Sequence, residues 1–150
     1  MSDIESLRRR FERLNGARPA CAALLGEIEK QLAVRLPEEF KRICEFYDGS
    51  GLNVIPMFSI GTNAPEENPL LETLRLREAI AFPGNWVAIA EPPESLVIMD
   101  CLENGRVLWI DAIDARRVAS GDFLRQPDVW ESFSEFFSYV LDEEEEDRAS

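Results

Sequence analysis

Histidine is absent from this chain. That removes the commonest general base, the Ser-His and Cys-His nucleophile pairs, and most transition-metal sites. Lysine is scarce: only Lys30 and Lys41 occur, both on expected helix surfaces. No glycine loop has phosphate-binding spacing, and Gly49-Ser50-Gly51 is too short and lacks the lysine of a P-loop. Cys21, Cys44 and Cys101 form no CxxC pair and sit in apolar contexts. An odd count without metal spacing reads as buried free thiols in a reducing compartment. No stretch approaches the roughly 20 apolar residues that span a bilayer. The opening MSDIESLRRRF lacks the apolar run of a signal peptide. Together these absences lead to the expectation of a cytoplasmic protein with no cofactor and no bound metal.

Positive charge is also in deficit. Sixteen basic side chains stand against 29 acidic ones, for a net charge of −13. Such a surface repels a nucleic-acid backbone, which is held by Lys and Arg that displace counterions. Plain solubility accounts for such a surplus; alternatively, the surplus would favour a basic protein partner through long-range steering. It is unevenly spread. Between positions 122 and 147 ten acids face a single base, Arg125, whereas the first predicted helix carries Arg8, Arg9, Arg10 and Arg13.

The 150 residues suit one domain, 1–150. A domain of this size buries about 68–70% of its unfolded surface, enough for a core without staples. Nine Phe, three Trp and two Tyr supply material for that core. Ser2-Asp3-Ile4-Glu5 has the form of a capping box, followed by Ile4, Leu7, Phe11 and Leu14 at helical spacing and a stop at Gly16. Leu25, Ile28 and Leu32 predict a second helix. Leu36-Pro37 breaks it, and Glu38-Glu39 then open a third, where a missing proline N–H does no harm and acids favour the positive end of the dipole. Phe40, Ile43, Cys44 and Tyr47 form its apolar stripe, with the Tyr47 ring expected to be buried and its hydroxyl wet. Gly49 and Gly51 end it.

Residues 54–60 read as a strand whose Pro56 calls for a sheet edge or a bulge. Asn68-Pro69 opens a helix with Leu70, Leu71, Leu74 and Ile80. Three apolar strands follow, at Trp86–Ala90, 96–99 and 107–110, and Asn104-Gly105 marks a hairpin between the last two. Because these strands are apolar on both faces, they are expected to lie centrally, covered by helices. Gln126-Pro127-Asp128 starts a final helix lined by Val129, Trp130, Phe133, Phe136, Phe137, Val140 and Leu141. The acidic tail, 142–150, opposes the helix dipole and is expected to fray or project.

Carboxylates are the remaining catalytic candidates. Asp100, Asp111 and Asp114 lie at or beyond strand ends, where they could converge on Mg²⁺ or Ca²⁺ or could simply form turns. Glu91 and Glu94 flank Pro92-Pro93 and have the makings of a glycosidase-like pair.

The succession of the Ile28-Glu29 helix, Leu36-Pro37-Glu38-Glu39-Phe40 and Phe46-Tyr47-Asp48-Gly49-Ser50-Gly51 resembles the opening signature of the SUKH superfamily. That superfamily includes bacterial polymorphic-toxin immunity proteins and fungal regulators of cell-wall synthesis. Trp86-Val87-Ala88-Ile89, Leu96-Val97-Ile98-Met99-Asp100, 105–111 and Ser132-Phe133-Ser134-Glu135-Phe136-Phe137 are similar to its later strands and closing helix. Glu91-Pro92-Pro93-Glu94-Ser95 replaces the Gly-Asp step common there. The resemblance implies an α+β fold, with a mixed, mostly antiparallel sheet packed by N- and C-terminal helices. It also implies protein binding without catalysis, with a basic toxin domain, such as a nuclease, as partner. A regulatory scaffold without a toxin is the alternative, and a carboxylate-metal hydrolase is a third. The exposed acids Glu66, Glu67, Glu91, Glu94 and Glu103 are the expected partner-binding residues.

Overall fold

A computed structural model describes residues 3–61 and 67–150. Its elements are α1 (Ile4–Asn15), α2 (Ala22–Leu32), α3 (Glu38–Ile43), α4 (Pro69–Ile80), β1 (Trp86–Ala90), β2 (Ser95–Asp100), β3 (Arg106–Asp111), a 3-10 helix (Ala112–Arg117), β4 (Asp128–Trp130) and α5 (Phe133–Ala149). The α+β class and the terminal helices are as the resemblance implies. The four strands pair in the order β1-β2-β3-β4, antiparallel throughout.

Strand alternation explains why the sequence is apolar on both faces. Val87, Ile89, Val97, Met99 and Val107 enter a large core shared with α1, α2, α3 and α5. Trp86, Ala88, Leu96, Ile98, Leu108 and Ile110 point the other way, into a smaller cluster closed by Phe82 and Val118. Two cores therefore sandwich one sheet, and both faces of β1, β2 and β3 lose water. At the β2–β3 turn both Asn104 (φ 55°) and Gly105 (φ 78°) take the left-handed region that the Asn-Gly pair favours.

The Leu36-Pro37 corner is pinned by one side chain. Glu29 Oε2 accepts from Leu36 N at 2.8 Å and lies 3.2 Å from Lys41 Nζ. Burial disfavours the charged form of Glu29, but the Leu36 N–H and the Lys41 charge outweigh it and hold the carboxyl below its ordinary value.

Several expectations are corrected. The α1 cap is Asp3, whose Oδ1 accepts from Glu5 N at 3.2 Å; Ser2 lies outside the described residues. Residues 54–60 are not a strand. Phe58 N donates to Ile89 O, Ser59 N to Glu67 O and Ile60 N to Asp48 O, while Ile60 O accepts from Cys21 N, isolated bonds to separate segments without a ladder. Pro56 has no N–H to contribute to one. Gly49 (φ 92°) is packed so closely on the Phe58 carbonyl that a Cβ there would overlap it.

Val129 and Trp130 are not helical either. They pair with Leu108 and Val107 as the short edge strand β4, and the helix begins at Phe133. Ser132 caps it, its Oγ accepting from Glu135 N at 3.2 Å, while Glu135 Oε2 reaches back to Glu131 N at 3.1 Å. Ser132→Ala should lower stability by about 1 kcal/mol in urea unfolding, with the denaturant slope unchanged.

The acidic tail neither frays nor projects; α5 remains helical to Ala149. Arg10, one of the four arginines of α1, pairs with Asp142 at 2.6 Å and with Glu145 at 2.8 Å. The Tyr47 hydroxyl is not wet. The residue is 2% exposed, and its OH has no hydrogen-bond partner among the described residues. Burial raises its pKa well above the usual phenol value. Cys44 is buried, while Cys21 and Cys101 are half-buried, and all three are free thiols. No helix among the described residues is long and apolar enough to cross a membrane.

Candidate functional site: two acid-lined grooves

The β2–β3 hairpin separates two regions of concave surface. Ser95 pairs with Asp111 at one end of the hairpin, and Asp100 pairs with Arg106 at the other.

The first groove, about 470 Å³, lies between α4 and the loop after β1. Glu67 and Glu91, both exposed, line it together with Glu72, Arg75 and Phe58. The structure thus brings together two of the five acids expected at an interface, across 24 positions of sequence. Glu72 is nearly buried, and its Oε1 is 2.6 Å from Arg75 Nη1, so part of the local charge is already neutralised. Glu94 (φ 59°) is exposed in a neighbouring shallow hollow formed by 91–96 and the 3-10 helix. Glu66 lies outside the described residues.

The second groove, about 570 Å³, lies near the opposite end of the hairpin. Its floor comes from the Leu36-Pro37 corner and from Cys101 and Leu102 of the turn after β2. Its rim carries Glu38 and Glu39 from the start of α3, and Glu131 and Glu135 around the start of α5. Arg35 is the only base on the lining. Glu103, the last of the five expected acids, is exposed in the same 101–105 turn without lining the groove. Leu102 is 79% exposed, the most exposed large apolar side chain among the described residues. Burial pushes the Cys101 thiol up to about 12, so at neutral pH it is a protonated, weakly nucleophilic group.

Sequence reasoning missed this second groove. In sequence Glu38 and Glu39 suit the positive end of a helix dipole and fit the SUKH-like signature, and Leu102 sits beside the polar residues 103–105. A leucine flanked by Cys101 and Glu103-Asn104-Gly105, where solvation favours polar residues, is the one local signal that could have marked it.

The aspartates considered for a metal do not converge. Asp100 and Asp111 lie at opposite ends of the β2–β3 pair. Asp100 Oδ1 accepts from Asn85 Nδ2 and Leu102 N, at 2.8 and 2.9 Å. Asp111 Oδ1 caps the 3-10 helix through Ile113 N at 3.0 Å. Asp114, fully buried, accepts from Leu124 N at 2.9 Å and Arg125 N at 3.0 Å. Each is thus used in shaping a turn. Among the described residues no three Cys, Asp or Glu side chains come together in an arrangement suited to an ion.

Comparison with curated proteins gives no match. The SMI1 / KNR4 family (SUKH-1) matches residues 19–139, which run from just before α2 into the middle of α5 and take in both grooves. With four-fifths of its length matched in this way, the chain belongs to the SMI1 / KNR4 (SUKH-1) family.

Proposed function

We propose that this chain is a cytoplasmic immunity protein that neutralises a cognate polymorphic toxin by binding over the toxin's active surface. It acts by association and makes or breaks no covalent bond. The partner is a basic toxin domain, a nuclease being the case in which charge complementarity is greatest. The observation that carries this reading is the combination of family membership with two acid-lined grooves on a molecule of net charge −13. Basic enzymes that hold phosphate are attracted to such a field, and the same field repels their substrate.

The test is protection. A cell expressing the toxin domain encoded beside this chain should survive when the chain is co-expressed, and the two proteins should purify as an equimolar complex. A toxin that kills at the same rate with the chain present in excess defeats the reading. Absence of any toxin neighbour, together with a stable complex with a resident host protein, would place the chain on the regulatory side of its family.

Charge also sets an expected rate. Glu91 and Glu94 lie on the exposed turn after β1, where side chains act through the long-range field. Glu91→Lys with Glu94→Lys should slow association with the toxin domain about fivefold at low ionic strength, and the curves should converge at high salt. Stopped-flow fluorescence reads both arms, and an unchanged rate at low salt removes these two residues from the steering surface.

A further inference from the structure

The protein-binding reading leaves open which surface makes contact, and we infer that the second groove docks an arginine- or lysine-rich segment of a protein partner, with Leu102 as its apolar anchor. The inference rests on that reading and adds the location and the chemistry of the segment.

The groove has the size of a binding cleft. Its volume of about 570 Å³ lies within the range of about 300–1,000 Å³ usual for such sites. Its composition is that of an interface centre: an apolar floor, one conspicuously exposed leucine, and a polar rim. Leu102 occupies a turn that gives it little to pack against, so the only way for it to leave water is contact with another molecule.

Of the four rim carboxylates only Glu38 has a base nearby among the described residues, and that pair is long and exposed. Glu38 is 82% exposed and 3.6 Å from Lys41. The Glu135 carboxylate is engaged, among the described residues, only with the backbone N–H of Glu131. Glu39 Oε1 is shielded from water and has no donor among the described residues. An acceptor in that state gains more from an incoming N–H than a solvated one does. The first groove differs here, because its most buried acid is already held by Arg75.

The chemistry selects one occupant. A second copy of this chain docked through the same face would bring its own acids against this rim, and a nucleic acid would bring phosphates. An acidic peptide fails for the same reason. A segment that alternates guanidinium or ammonium groups with an aliphatic side chain satisfies the rim and Leu102 together.

The probe is a short fluorescein-labelled amphipathic peptide of leucine and arginine, with a twin carrying glutamate in place of arginine. Fluorescence anisotropy with the full chain should show binding of the arginine peptide and none of the twin. Glu38→Lys with Glu131→Lys should weaken binding at least about tenfold. Glu91→Lys with Glu94→Lys, which changes net charge equally, should weaken it less than about threefold, through association rate alone. Leu102→Ser, at a site too exposed to affect folding, should raise the dissociation rate about fivefold at high salt, where steering is screened. Failure of the arginine peptide to bind overturns the inference. So does equal loss in the two charge-reversed variants, which would mean attraction by net charge without a site. In cells, a Glu38→Lys/Glu131→Lys/Leu102→Ser variant that still protects fully removes this groove while leaving the immunity reading intact. A wild-type chain that fails to protect removes the immunity reading itself.

Discussion

Phe137→Ala should destabilise this protein by about 3–5 kcal/mol, the largest loss expected from any single truncation in the core. The reason is its position. Phe137 is 1% exposed and is the hub of an aromatic cluster, with its ring centroid 4.8 Å from Tyr47, 6.1 Å from Phe11, 6.1 Å from Phe46 and 6.1 Å from Phe133. These rings come from α1, α5 and the segment after α3, so alanine opens a cavity where three parts of the chain meet. The Tyr47 and Phe46 contacts are edge-to-face, and each adds about 0.5–1.5 kcal/mol beyond area burial. Neighbours locked by their own backbones cannot collapse into the gap. Against a total stability of about 5–15 kcal/mol, the loss should move the melting temperature by roughly 10 °C. Phe137→Leu, which keeps most of the volume, should cost less than half as much. Urea unfolding followed by tryptophan fluorescence measures both. A loss below about 1 kcal/mol for the alanine variant would mean that the cluster repacks freely, contrary to its geometry.

Much of this fold is legible from local chemistry. The Leu36-Pro37 break, the Asn68-Pro69 start and the Asn104-Gly105 turn each depend on a few adjacent residues, and each is where the sequence places it. The apolar runs of β1, β2 and β3 are equally local. The misreadings share a different cause. β4 exists because Val129 and Trp130 meet Leu108 and Val107, partners more than 20 positions away. An apolar run of that length cannot be told from a helix start by periodicity. Residues 54–60 have strand-like composition, but their backbone bonds go singly to scattered partners, Ile89, Glu67, Asp48 and Cys21, with no ladder.

The candidate site is less legible than the fold, because grooves are made by elements that meet. Glu67 and Glu91 could be named as exposed acids, but not as neighbours. The second groove needs the start of α3, the β2–β3 turn and the start of α5 in one place, and that juxtaposition is a property of the folded sheet. A residue such as Glu39 is then visible in sequence only as one more helical acid, although its Oε1 is shielded and has no donor among the described residues.

The acidic tail was misread for a related reason, and it yields the second large effect. Glu144 belongs to a run of six acids at a helix C-terminus, yet it is 1% exposed. Its Oε1 accepts from Asn53 N at 2.7 Å and Val54 N at 3.0 Å, and its Oε2 lies 2.8 Å from Arg148 Nε. Arg148 in turn donates to the carbonyls of Leu14 and Gly51, at 3.1 and 2.9 Å. One carboxylate therefore ties the loop at 51–54 to α5, and through Arg148 to the end of α1. Glu144→Ala leaves two backbone donors and a guanidinium without their acceptor and should cost about 3 kcal/mol. Glu144→Gln keeps an acceptor for the two N–H groups but turns an amide NH2 toward Arg148, losing the charge and the second acceptor, and should cost less than the alanine variant, about 1–2 kcal/mol. The pH dependence has a definite sign. Burial opposes ionisation of Glu144, but the Val54 and Asn53 N–H groups and Arg148 outweigh it, so its folded value is below the ordinary carboxylate value. A depressed folded value means that the unfolded chain takes up the proton first as pH falls. The stabilisation is therefore complete above the unfolded value of about 4.3 and is lost as pH drops through the folded one. Acid also relieves the repulsion of a chain with net charge −13, which acts the opposite way. Subtracting the Glu144→Gln curve from the wild-type curve cancels most of that common term. The stability difference should be constant near neutrality and shrink toward zero below about pH 4. Two curves that stay parallel into acid would show that Glu144 does not titrate with folding, and the clasp between α5 and the 51–54 loop would then owe nothing to its charge.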